Sequence, residues 1–234
     1  MIISLMIMSA AFIFSQSRGA WISLVICLIV MNNVLIKKRI LKKQSLFVFL
    51  LVITLGLAFL LGGYDIVAER LHTVEQAGSE ASLGTRIKIW QGAINMIKAN
   101  PLIGTGIGTF DWGFQAYRPE GLRVRAYFAH NDYLHMMAEM GLLALPLMLW
   151  MIWVVVTAGF KWKEDKGQDA GGDNYKHEKK SRLTLTEGVV LGAAVGVLSL
   201  SLHGLVDFNF HIPANMLVVA ALSGIIARRA SKNI

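Results

Sequence analysis

Cysteine is nearly missing from this 234-residue chain: Cys27 stands alone. A lone cysteine leaves no disulfide to brace any loop and no thiolate pair for a zinc site. It sits inside an apolar run and reads as a small buried hydrophobe. No His-Glu-x-x-His segment occurs, and His130 and His135, five residues apart, do not share a helix face. No metal and no cofactor are expected. The Gly-x-Ser-x-Gly elbow of acyl-transfer enzymes is absent, and no internal repeat of the kind that builds many transporters is visible. Residues 1–14 carry neither a basic leading segment nor a small-residue cleavage site, so a signal peptide is not expected.

Apolar residues are abundant, at 55% of the chain, and mean hydropathy is +0.53. They come in six blocks, at residues 1–14, 21–36, 46–61, 141–160, 188–206 and 214–227. A helix crosses the hydrocarbon core of a bilayer with roughly 20 residues, about 17 at the least. The fourth and fifth blocks meet that length, and the others must borrow interfacial neighbours. The reading is all-α: a polytopic transmembrane bundle of about six spans. Three spans fall in residues 1–61, a large extracytoplasmic loop with amphipathic helices in 62–140, and three more spans in 141–234.

The net charge of +8 marks topology. Lys37, Lys38, Arg39, Lys42 and Lys43 crowd one short loop, a second basic group lies within 161–185, and Arg228, Arg229 and Lys232 lie near residue 234. With all three inside, the spans alternate under the positive-inside rule and both termini are cytoplasmic. The loop 62–140 then faces outward, and its seven Lys/Arg against eight Asp/Glu are nearly balanced. No basic face with interleaved aromatics is present, so nucleic acid is not a partner.

Within the outer loop, Leu83, Ile87, Trp90, Ile94 and Ile97 recur at helical spacing and predict an amphipathic helix ending at Asn100-Pro101. That helix could lie on the membrane or pack on the bundle. Residues 104–110 are glycine-rich, but without a βαβ context they read as a flexible turn and not as a phosphate cradle. Arg118, Arg123 and Arg125 alternate with Trp112, Phe114, Tyr117, Tyr127 and Phe128, a mixture suited to a membrane boundary, a glycan or a phosphate. Ala129-His130-Asn131-Asp132-Tyr133-Leu134 sets a titratable imidazole just before an apolar segment, at the membrane–water boundary. Gly188, Gly192 and Gly196 offer a small-residue stripe for close helix approach. His203 and Asp207 follow at i, i+4 and read as a structural polar pair.

The order of these features resembles the superfamily of bacterial O-antigen ligases and polymerases. The pieces that carry it are Ser17-Arg18-Gly19-Ala20-Trp21, Arg86 with Ile89-Trp90, the run 101–110, His130-Asn131-Asp132-Tyr133-Leu134 and Glu139-Met140-Gly141-Leu142-Leu143. His203-Gly204-Leu205-Val206-Asp207-Phe208 and His211-Ile212-Pro213-Ala214-Asn215 complete it. Each piece is weak alone, and their order is specific. The resemblance implies a multi-pass protein of the bacterial inner membrane. It implies metal-independent, inverting transfer of a glycan from undecaprenyl diphosphate to a hydroxyl of a lipid, glycan or protein at the extracytoplasmic face. It implies His130 as catalytic base, with Arg18 and Arg86 holding the diphosphate. Asn131, Asp132, Tyr133, Arg123, Arg125 and Glu139 are the expected substrate contacts, and Asp132 or Glu139 would orient the His130 ring. Members usually have about twice as many spans, so a truncated product, a fragment of a longer ligase or a minimal form is expected. The competing class is a transporter or non-catalytic membrane partner. Polar residues gathered at the outer boundary, with no repeat, favour the enzyme.

Overall fold

The computed structural model describes residues 7, 12, 17–38, 40, 83–161 and 184–231, Arg18 by its backbone only. The apolar block 46–61, nearly all of 1–14 and most of the connection 161–185 lie outside the described residues. The six-span count and the division at residues 61 and 140 therefore rest on the sequence. Every described regular element is helical, with seven α-helices: α1 (Arg18–Lys37), α2 (Leu83–Ala99), α3 (Phe110–Phe114), α4 (Asp132–Met140), α5 (Ala144–Phe160), α6 (Leu185–His203) and α7 (Pro213–Ser231). Two 3-10 turns, Gln115–Tyr117 and Asn209–His211, follow α3 and α6.

The caps explain where the long helices start. Ser17 accepts a hydrogen bond from the Ala20 amide (3.2 Å) and caps α1. Thr184 and Glu187 form a reciprocal capping box at α6. Pro213, whose missing N–H costs nothing at a first helical position, opens α7. Helix α6 is the hub of the bundle, touching α1, α5 and α7. Its end meets the start of α1 and its start meets the end of α7, where Arg229 lies 3.8 Å from Glu187, so both neighbours run antiparallel to it.

Among the described residues two helices, α1 from Gly19 and α6, are long and apolar enough to cross a membrane. Helix α5 is shorter than the block 141–160 suggests, at 17 residues. Gly141, at φ 82°, turns the chain before the helix can begin. The predicted glycine stripe is used only in part. Gly196 faces Leu222 of α7, while Gly192 meets no atom within 4 Å among the described residues. A close approach runs instead through Gly159 of α5, where a Cβ would collide with Ala194 of α6.

The amphipathic helix exists as α2, but its buried face matches the predicted one only in part, at Ile97 and partly at Trp90. Ile89, Gly92, Ala93, Met96 and Ile97 are buried, while Leu83, Ile87 and Ile94 of the predicted stripe are exposed. The next helix is the reason: α3 packs Phe110 and Phe114 onto the Ile89–Ala93–Met96 face, with Leu122, Ala126, Ala129 and Ala138 closing the cluster. Burying one such side chain is worth roughly 1.5–3 kcal/mol. This small core braces the segment from α2 to α4 and fixes the chain on either side of His130.

Candidate active site

The site is built on the start of α4. Asn131 caps that helix, its side-chain oxygen accepting from the Leu134 amide (3.0 Å). The residue before it, His130, has φ 49° and is the one non-glycine residue with positive φ among those described. The left-handed region costs an L-residue about 1–2 kcal/mol, so it persists only where neighbours enforce it. Both backbone groups of Ala129 are held. Trp90 of α2 donates its indole N–H to the Ala129 carbonyl (2.9 Å), and the Ala129 amide donates to His135 Nδ1 (3.3 Å). The strain is thus maintained from α2 and α4 together.

The His130 ring is turned toward the segment that joins α6 to α7. Its Nδ1 lies 3.9 Å from Asp207 Oδ1, and its edge meets the Phe208 ring at 5.1 Å. Asp207 also faces His203 Nε2 at 3.5 Å, and that nitrogen is 3.2 Å from the Ser17 hydroxyl. Arg86 donates from Nη1 to the Val206 carbonyl (2.7 Å). Its Nε is buried, with no hydrogen-bond partner among the described residues. Burial alone would push the Asp207 carboxyl up. The neighbouring His130 imidazole, the Phe208 amide, His203 and Arg86 outweigh it and hold the group below the usual aspartate range. Four distant parts of the chain therefore meet at one end of the helices. Arg18 starts α1 in this neighbourhood, beside Ser17, and its side chain lies outside the described residues.

Of the residues expected to contact substrate, four make bonds within the scaffold. Asn131 is the helix cap. Asp132 is 0% exposed. It accepts from the Phe210 amide (3.0 Å), pairs with His211 Nδ1 (2.8 Å), and donates its own amide to the Gly204 carbonyl (2.8 Å). Tyr133 donates to the Ser201 carbonyl (2.8 Å), and burial, with Asp132 nearby, pushes its hydroxyl up to about 12. Glu139, 4% exposed, accepts from the Gly108 and Phe110 amides (2.9 Å each) and faces His135 Nε2 at 3.3 Å. Burial pushes Glu139 up, but His135 and the two amides together hold it at about 2. The glycine-rich loop does cradle an anion, and that anion is the protein's own carboxylate. Its predicted flexibility is corrected by these bonds.

Neither Asp132 nor Glu139 orients His130: the first holds His211, the second holds His135, and Asp207 is the carboxylate beside His130. The sequence paired His203 with Asp207 but carried no sign of this third partner, which α4 brings from far along the chain. Arg123 is exposed. Arg125 is exposed as well, bound through Nε to Asp111 (2.7 Å) and lying over the rings of Trp112 (5.3 Å) and Tyr127 (5.1 Å).

His135, Glu139 and His211 bring possible metal-ligand atoms within 4.8 Å of one another, a cluster the sequence spacing does not reveal. The Ala129 amide occupies the Nδ1 lone pair of His135, so a neutral ring carries its proton on Nε2, toward Glu139. A cation there would have to displace that proton. The donor pattern fits a hydrogen-bonded support for α4.

If Asp207 sets the orientation of His130, Asp207→Asn should lower kcat by part of the roughly 10²–10⁴-fold that general-base catalysis contributes. Protein abundance should change little. An unchanged kcat, with abundance lost instead, would return Asp207 to the role of a structural partner for His203.

No curated protein matches the chain. A family model described as O-antigen ligase matches residues 3–159, about two thirds of the chain. That span contains His130 and Arg86, while Asp207 and His211 lie beyond it. On this match the chain belongs to the O-antigen ligase family.

Proposed function

We propose that this protein transfers a glycan from an undecaprenyl-diphosphate carrier to an acceptor hydroxyl at the extracytoplasmic face of the bacterial inner membrane. The observation that carries the reading is the convergence of a strained His130 and of Arg86 on adjacent residues, Asp207 and Val206, at the end where α1, α6 and α7 turn. His130 takes the proton of the acceptor hydroxyl as its oxygen bonds to the anomeric carbon. The bond from that carbon to the diphosphate breaks on the opposite face, and the electron pair leaves with the diphosphate. One displacement of this kind inverts the anomeric centre. Charge on the leaving group is met by Arg86 and Arg18, whose planar forks fit phosphate oxygens.

Membership of the O-antigen ligase family supports ligase- or polymerase-type glycosyl transfer, and the two differ only in what carries the acceptor hydroxyl. The test is glycan display in a strain lacking the activity, supplied with this chain. Restored display supports the assignment; a correctly inserted chain that restores nothing and fails to transfer from purified lipid-linked donor would overturn it.

Arg86→Lys gives a sharper measure. Lysine keeps the charge but offers no fork. Transfer should fall at least tenfold with weaker donor binding, read from initial rates across donor concentration; wild-type rates would remove Arg86 from the site. The same reaction requires a definite topology. A reporter fused near Glu120 should be extracytoplasmic and one placed after Ser231 cytoplasmic. The reverse would put His130 on the wrong side of the membrane for this donor.

A further inference from the structure

The connection between α2 and α3, residues 101–108, exposes three large aliphatic side chains. Leu102 is 75% exposed, Ile103 83% and Ile107 77%, and Leu143 beside them is 71% exposed. Such a concentration is unusual for a surface that meets only water. The segment is also fixed in place. Leu142 donates to the Pro101 carbonyl (2.8 Å), Thr105 to that of Ala138 (3.0 Å) and Gly106 to that of Glu139 (2.8 Å). Gly104 and Gly141 have φ 64° and 82°, and a Cβ on either would fall within 2.5 Å of the opposing backbone. The two strands of chain therefore touch main chain to main chain, and only glycine permits it.

Leu143 leads directly into α5, seventeen residues without a charge, whose Leu147, Trp150, Met151 and Trp153 are bare along its side. In the membrane setting of the proposed function, on which this inference rests, the solvent for that face is hydrocarbon. The exposed loop residues lie beside Leu142, just before that helix begins. Shortly after them come Trp112 and Tyr127 with Arg125 against both rings, amphipathic groups suited to the head-group layer. We propose that Leu102, Ile103 and Ile107, with Leu142 and Leu143, form a rigid wedge seated in the acyl region of the outer leaflet. Its occupant is lipid acyl chain. The wedge is bonded to the end of α4, and His130 precedes the start of the same nine-residue helix. Its depth in the leaflet therefore sets the height of His130 above the hydrocarbon.

The test uses the full chain carrying Cys27→Ser and one new cysteine: Ile103→Cys, Ile107→Cys or, as an aqueous control, Glu120→Cys. Each is labelled with bimane and reconstituted into phosphatidylcholine–phosphatidylglycerol vesicles containing doxyl-labelled lipid. Labels at 103 and 107 should be quenched at least twofold more by the doxyl lipid than by aqueous iodide, and the label at 120 the reverse. Iodide access at 103 and 107 would overturn the wedge. Protection from both quenchers would overturn it too, because protein would then cover the face. The readout needs no transfer activity, so its failure is separable from failure of the proposed reaction.

Discussion

His130→Asn is expected to lower glycan transfer by about 10²–10⁴-fold while the protein still inserts and binds donor. Asparagine is the informative replacement because of the backbone. At φ 49° most side chains add strain, and asparagine tolerates the left-handed region better than alanine does. The fold should therefore survive, held by the Trp90 and His135 bonds to Ala129 that do not involve the replaced side chain. The lost group is the one able to take a proton from a hydroxyl. Initial rates with lipid-linked donor, on protein verified as folded, give the measure. A rate within threefold of wild type would end the assignment of His130 as base.

The second large effect concerns stability. Glu139→Ala should destabilise the α2–α4 segment by roughly 3–5 kcal/mol, because it strands the Gly108 and Phe110 amides and leaves His135 without its carboxylate. Glu139→Gln should cost less but remain clearly destabilising, since one amide oxygen cannot replace two charged acceptors. The pH dependence has a definite sign. The folded carboxyl sits at about 2, below its ordinary 4.5. Its contribution is complete above the ordinary value and is lost as the pH falls from there toward about 2. Unfolding midpoints of wild type and Glu139→Gln should converge as the pH is lowered through that window. Parallel curves would mean that the carboxylate is not the group that holds the loop.

Much of the helical architecture was legible, because apolar blocks and caps are local signals. Ser17 before α1, Asn100-Pro101 after α2 and Pro213 at the start of α7 mark boundaries that the chain itself writes. The buried face of α2 was not legible in the same way. Its sequence offers two apolar stripes, and the choice was made by Phe110 and Phe114, whose docking no periodicity in α2 announces. The candidate site shows the same division. His130 and Arg86 are visible as residue types in context, and the family match spans both. The partnerships are not visible, since Asp207, His211 and Glu139 find their histidines through tertiary packing. The carboxylates two and nine residues from His130 in the chain face other histidines, and the one beside it comes from the turn after α6.

That turn also determines when the site can exist. A chain threaded into the membrane from its amino end presents Ser17, Arg86 and His130 well before residues 203–211 arrive. Until they do, Asp132 lacks His211, the Phe210 amide and the Gly204 carbonyl, and His130 lacks Asp207. In chain order the α6–α7 hairpin supplies the last of these partners. On the proposed function, glycosyl transfer would then begin only at the end of biogenesis, and a nascent protein stalled before the hairpin would carry His130 and Arg86 without the geometry that joins them.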